Sequence, residues 1–318
     1  MAALSTEAQS GLSAHTNGDR HERIQQSSTI PQAAPAFANN AFSHLTLYTG
    51  NTMRTGTTGQ LTTNLKKSNQ ELVSALQDTL LYSLDTAHIQ GDAITITDET
   101  SVGSLEGDRS SYEITVKMFY SSSATAGAPL SVEQLTVALS EIGTALGIPE
   151  IKVDHFILAL PNQTFDENEL EESEVETFTQ EIRTVVLPVW SRLSELRRSG
   201  RIGRLGVAEF SKQQLEALKA IAVGAGAEIP EVNQVNFQDC CVLPKDLIQY
   251  AKEEGIELLT HGDATNILPK ETLQEVLETY LPVAAKTLRP NFVLKYSAFI
   301  TSRGLITKKG YIVDASAL

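Results

Sequence analysis

The chain has little of what builds disulfide frameworks or surfaces for polyanions. Its 318 residues include two cysteines, one tryptophan and three methionines. The cysteines, Cys240 and Cys241, are adjacent, so they cannot close an ordinary disulfide loop, and they lack the C-x-x-C spacing of redox and zinc sites. A reducing, cytoplasmic setting is therefore expected. Basic residues are also scarce, with 25 Lys and Arg against 39 Asp and Glu and a formal charge of −14. Phosphate backbones and anionic lipids are bound by clustered Lys and Arg, so neither nucleic acid nor a membrane is expected as a partner. No run approaches the roughly 18 apolar residues of a membrane span, and the first residues lack the basic start and apolar stretch of a secretory signal. G-x-S-x-G, P-loop and H-E-x-x-H patterns are missing, and the six histidines are scattered, so no metal site is expected.

What is present divides in two. Residues 1–42 are rich in Ser, Thr, Gln, Asn, Ala and Pro, with Phe37 and Phe42 as the only aromatics. Such a stretch cannot bury enough apolar surface to offset the entropy of ordering it, so it reads as a disordered N-terminal tail. Glu7, Asp19 and Glu22 also depart from the acid-poor pattern of a mitochondrial presequence.

From residue 43 to 318, β-rich runs alternate with amphipathic helical runs. Strands are predicted at 44–48, 112–120, 153–160, 202–207, 232–237, 256–260 and 292–301, with a short one at 93–97 inside the polar loop 88–111. Ser68 with Glu71, Ser131 with Gln134 and Ser211 with Gln214 have capping-box spacing, while Pro188 and Pro244 suit first helical positions. Strand-then-helix order with apolar strands implies a parallel sheet covered by helices. A doubly wound sheet and a (β/α)8 TIM barrel both satisfy it. Length and roughly eight alternations favour the α/β barrel, whose working face is the C-terminal end of the strands. Residues 162–181 carry eight acidic side chains and read as a solvated loop at that face, with docking of a partner as the other reading.

Four segments carry a family resemblance. DHFILALP at 154–161, GRIGRLGVAEFS at 200–211, NQVNF at 233–237 and AKEEGI at 251–256 resemble, in that order, the aldo-keto reductase segments DLYLIHWP, GKVRALGVSNFS, NQVEYHP and CKEKGI. Those enzymes are NADPH-dependent barrels that reduce carbonyls with a Tyr proton donor, a Lys paired to an Asp, and a substrate-orienting His. The resemblance places the Lys at Lys117 and the His position at Ala159. LDTAHIQGD, which resembles the family's IDTA-x-x-Y, places the Asp at Asp85 and the Tyr position at Gln90. Lys117 and Asp85 thus stand as relics without a proton donor, since a side-chain amide cannot replace a phenol tuned down from about 10. Arg303, Lys308 and Lys309 are the candidates for the cofactor's 2′-phosphate, in a C-terminal segment that is otherwise eroded. The glycines at 200, 203 and 206 are not G-x-G-x-x-G and read as turn and strand-packing residues. His261, with Asp263 close by, reads as a hydrogen-bonded structural histidine rather than an acid–base pair.

A closer resemblance covers residues 45–313. QVNFQDCCVLPKDLIQYAKEEGIELLTHGD at 234–263, the segment RGLITKKGYIV near the C-terminus and the TGN-containing stretch 47–80 resemble the regulatory, or modifier, subunits of glutamate-cysteine ligase. This implies a non-catalytic protein whose partner is the ligase catalytic subunit, which it activates in glutathione biosynthesis by improving substrate use and relieving feedback inhibition. No cofactor is then expected, with residual NADPH binding as the exception to test. Cys240, Cys241 and Phe237 are the candidate partner-binding residues, one cysteine being able to bond across the interface under oxidation, against a reading as half-buried packing residues. A divergent NADPH-dependent aldo-keto reductase is the alternative.

Overall fold

The computed structural model describes residues 37, 39–53, 68–98, 105–121, 127–166, 168–236 and 243–317. Strand β1 (His44–Tyr48) is followed by helix α1 (Ser68–Ser83), then β2 (His88–Gln90) and β3 (Ala93–Thr97). Strand–helix units come next: β4 (Tyr112–Tyr120), α2 (Val132–Leu146), β5 (Val153–Ala159), α3 (Glu172–Glu181), α4 (Leu187–Arg198), β6 (Ile202–Ala208) and α5 (Lys212–Gly224). The chain continues through β7 (Val232–Asn236), α6 (Lys245–Glu254), β8 (Glu257–His261) and α7 (Lys270–Glu278), and finishes in β9 (Leu288–Ile300) and β10 (Leu305–Ala317).

Hydrogen bonding joins the ten strands in the order β2-β3-β1-β10-β9-β4-β5-β6-β7-β8. The run β4 to β8 is parallel throughout, which gives the α/β class expected from the sequence. The C-terminal strands depart from simple alternation. β9 and β10 pair antiparallel with each other and are inserted between β1 and β4, because a four-residue turn at Thr301–Gly304 folds one long apolar run back on the other.

Alternation along the strands sends side chains to two cores. Ile114, Val116, Met118, Phe156, Leu158 and Trp190 belong to one, covered by α2, α4, α5 and α6. Phe119, Ile157, Ala159, Val232 and Val313 belong to the other, closed by Leu72, Leu76 and Leu80 of α1 and Leu273 and Leu277 of α7. Close strand contact explains two of the glycines. A Cβ on Gly203 would lie 2.6 Å from the Asp154 carbonyl oxygen, and one on Gly206 would lie 2.8 Å from Val232 Cβ. Gly200 instead adopts φ +78° in the turn before β6, as only glycine does without strain.

Helix starts follow the sequence signals in part. The Gln134 N–H donates to Ser131 Oγ (3.1 Å), and Ser211 with Gln214 forms a reciprocal box. Ser68 differs: its hydroxyl is buried and has no hydrogen-bond partner among the described residues. Pro244 precedes α6 instead of opening it.

The acidic stretch is not wholly a loop. Its second half is α3, whose Glu174 side chain accepts the Glu171 N–H at 2.9 Å. Carboxylates in that first turn face the positive end of the helix dipole, and Phe178 anchors the helix edge-on against Phe210, centroids 5.3 Å apart. Between α3 and α4 lies a π-helical turn, Ile182–Val186. Pro188 accounts for it, since proline has no N–H for the Thr184 carbonyl and its ring crowds that turn. The Val185 carbonyl, displaced from regular pairing, accepts the Leu130 N–H at 2.9 Å. No helix among the described residues is long and apolar enough to cross a membrane.

Candidate functional site

Polar side chains converge beside the C-terminal ends of the parallel strands. Lys117 of β4 and Lys295 of β9 are register partners across an antiparallel ladder, where like charges repel. Asp263, two residues beyond β8, resolves the conflict. Its Oδ2 accepts from Lys117 Nζ at 2.9 Å and its Oδ1 accepts from Lys295 Nζ. Lys117 is 4% exposed and Asp263 3%. Burial alone would push the Asp263 carboxyl up, but the two ammonium groups hold it well below the usual carboxylate range. Burial pulls the Lys117 ammonium down, opposed by Asp263. The ring of Phe119 lies 5.0 Å from Lys117 Nζ, adding a cation–π contact.

This pairing also bends the sheet. Four strand spacings of about 4.8 Å would hold β4 and β8 roughly 19 Å apart on a flat sheet, far beyond the reach of a lysine, so the sheet must curl to bring Asp263 over Lys117.

A second layer surrounds Asp263. Its N–H donates to His261 Nδ1 at 3.0 Å, which leaves the ring proton on Nε2, 2.6 Å from Glu209 Oε1. Glu209 Oε2 accepts the N–H groups of Phe165 (2.9 Å) and Asn236 (3.4 Å), and Asn236 Nδ2 donates to the Asp263 carbonyl at 3.0 Å. Glu209 holds φ +68°, a strained value for a non-glycine residue. Gln163 Nε2, donating to its carbonyl at 2.8 Å, and its own N–H on the Gln234 carbonyl fix it there. The loops after β5, β6 and β7 are thereby tied to one carboxylate. His261 Nδ1 is hydrogen-bonded, whereas its buried Nε2 lies close to Glu209 Oε1 without hydrogen-bond geometry.

The residues singled out from the sequence fare differently. Lys117 is central, but its carboxylate is Asp263. Asp85 lies exposed in a 3-10 turn, Leu84–Thr86, and Gln90 is exposed on β2. Ala159 ends β5 opposite Phe119, in the apolar inner core. Phe237, Cys240 and Cys241 lie outside the described residues, directly after β7. Arg303, Lys308 and Lys309 do not converge on one anion. Arg303 is exposed in the β9–β10 turn, Lys308 is buried and donates to the Ala145 carbonyl at 2.6 Å, and Lys309 pairs with Glu71 at 2.8 Å. Strand alternation sends those two lysines to opposite faces, so these three residues do not fit a nucleotide 2′-phosphate. Sequence reasoning missed Lys295 and Glu209, and noticed Asp263 only beside His261. The one available signal was the acidic residue in GVAEF, at a strand end.

Five of the eight tyrosines are tuned away from proton donation. The Tyr311 hydroxyl donates to Glu71 Oε1 at 3.0 Å, and burial together with that carboxylate pushes its pKa up. Burial likewise raises Tyr120, Tyr280 and Tyr296, and takes Tyr250 to about 12, opposite to what carbonyl protonation requires. No group of three or more His, Cys, Asp or Glu among the described residues is arranged to hold a metal ion.

The sequence is similar to those of known proteins. A Schizosaccharomyces pombe protein named as a candidate glutamate–cysteine ligase regulatory subunit is 27% identical over 288 residues, covering 87% of this chain and 98% of its own length. The mouse glutamate–cysteine ligase regulatory subunit is 40% identical over 129 residues, 40% of this chain and 46% of that protein; the match spans less than half of the mouse protein's length. A crystal structure of an aldo-keto reductase from a Medee basin deep-sea metagenome library overlaps at 17% identity, covering 46% of this chain and 42% of that one with a TM-score of 0.29, too loosely to carry an argument. The profile of the aldo/keto reductase family matches residues 52–264, well over half of the sequence, and the chain belongs to the aldo/keto reductase family.

Proposed function

We propose that this chain is a regulatory subunit of glutamate–cysteine ligase that binds the catalytic subunit, improves its use of substrates and relieves its inhibition by glutathione, without redox chemistry of its own. The observation that carries this reading is that Lys117 takes its carboxylate from Asp263, while Asp85 and Gln90, the positions that the reductase resemblance gives to the Asp and Tyr, lie exposed. Lys117 keeps an ion pair, as a reductase lysine would, but its Asp263 partner has one oxygen committed to Lys117 and the other to Lys295. The His position is Ala159, and Tyr311 is held by Glu71. The relatives' names point the same way. Activation by association requires the subunit to bind one conformation of its partner better than another. Phe237, Cys240 and Cys241, which follow β7 in the sequence, are the proposed contacts, with a cytoplasmic setting keeping the cysteines reduced at rest.

The test is ligase activity and glutathione sensitivity of the cognate catalytic subunit with and without this chain, alongside NADPH binding and aldehyde turnover by the chain alone. Higher substrate affinity or weaker glutathione inhibition on association supports the regulatory role. Absence of association, together with NADPH-dependent turnover, would restore the divergent reductase.

A further inference from the structure

A second ionic cluster, with Asp314 buried and His44 and Glu141 half-buried, lies on the other face of the sheet, away from Lys117. His44 on β1 and Asp314 on β10 project to the same face, two positions apart in register, and α2 crosses above them with Glu141. His44 Nε2 is 2.8 Å from Asp314 Oδ2. Asn291 Nδ2 of β9 donates to Asp314 Oδ1 at 2.6 Å, and Ser316 Oγ donates to Asn291 Oδ1 at 2.9 Å. Two carboxylate oxygens, Asp314 Oδ2 and Glu141 Oε2, are buried and accept no hydrogen bond among the described residues. Asp92, in the β2–β3 turn, adds a third negative charge facing His44, with its carboxylate occupied by the Ser43 hydroxyl. The imidazole thus feels three acids, Asp314, Glu141 and the exposed Asp92, and two of them come from elements remote in sequence.

We propose that His44, Asp314 and Glu141 form a proton-operated clasp that fastens β1 to β10 and α2, closing when a proton is taken up and loosening β1 when it is lost. With the proton bound, the imidazolium adds a positive charge to a cluster whose other donors, Asn291 to Asp314 and Ser43 to Asp92, are neutral. Without it, two carboxylates share a low-dielectric pocket with a neutral ring. Both titrations act in one direction. Asp314 raises the His44 pKa above 6.5, and burial followed by Asp314 raises Glu141 above 4.5. Each contribution to stability is complete below the group's unfolded value and disappears as pH rises through its higher folded value. β1 is the strand that joins β3 and β2 to β10, so its release would detach that edge of the sheet.

The test is amide hydrogen exchange of residues 44–48, corrected for intrinsic rate, from pH 6 to 9 in the full chain and in E141Q and H44Q. The wild-type chain is expected to lose about tenfold protection per unit by which the histidine is shifted. E141Q should respond less steeply than the wild-type chain, keeping the part that Asp314 contributes, and H44Q should be weakly protected with no pH response. Equal pH responses in the three proteins would overturn the clasp. Should H44Q fail to fold, the wild-type His44 imidazole signal decides by itself: a titration midpoint above 6.5 supports the clasp, and one at or below 6.5 refutes it.

Discussion

Asp263 accepts from Lys117 at 2.9 Å although the two residues stand at opposite ends of a five-strand parallel run. The same carboxylate also separates Lys117 from Lys295, its neighbour across the ladder. One side chain therefore holds the sheet's curvature and its internal charge balance together.

Replacing Asp263 by Asn leaves two lysines facing each other without a counterion. Removing one partner of a buried pair costs about 3–5 kcal/mol, and urea unfolding should show a loss of that order. Lys117→Met is expected to cost clearly less, because Asp263 retains Lys295. Equal losses would mean that the Lys117–Asp263 contact, rather than the shared carboxylate, carries the stability.

Asp263 also sets an acid limb. Burial works against its ionisation, but Lys117 and Lys295 depress its folded pKa below the ordinary 3.8. Its stabilising contribution is therefore present above that value and lost as pH falls through the lower folded one. Thermal melts below pH 4 should fall more gently in D263N than in the wild-type chain.

Gly206 and Gly224 make a matched pair. A methyl at Gly206 meets Ile157 Cδ1 at 2.5 Å and the Val232 carbonyl at 2.9 Å, whereas one at Gly224 meets nothing within 4 Å. G206A should lose about 1–3 kcal/mol through overpacking. G224A, at the end of α5, should gain up to about 1 kcal/mol from helix propensity. Denaturant midpoints of the two variants, shifted in opposite directions, are the check.

Trp190 is the sole tryptophan and is fully buried, its Nε1 donating to the Glu228 carbonyl at 2.7 Å. Native emission should be blue-shifted and resistant to acrylamide, moving to the red on unfolding. W190F deletes the donor and leaves that carbonyl unpaired, a loss of about 1–3 kcal/mol, which circular dichroism can follow once the fluorophore is gone.

Much of the fold was readable because it rests on local signals. The strands at 44–48, 93–97 and 112–120, and the caps at Ser131 and Ser211, depend on periodicity and neighbouring hydroxyls. Helix α3 was hidden because its single buried row, Phe178 followed by Ile182 and Val186, is diluted by acidic residues and passes through a π turn forced by Pro188. In the site, Lys117 was legible from a family segment, but Lys295 and Glu209 were not, since neither belongs to a recognisable motif.

The sequence alone determined the alternation of strand and helix and the family, since each is a matter of residue identity at local positions. Only the tertiary structure decided that Lys117 takes its carboxylate from beyond β8, that Lys308 and Lys309 serve opposite faces, and that His44 meets Asp314 and Glu141. Those outcomes depend on strand order and sheet curvature, which bring together residues up to 270 positions apart, and on the requirement that every buried charge find a partner.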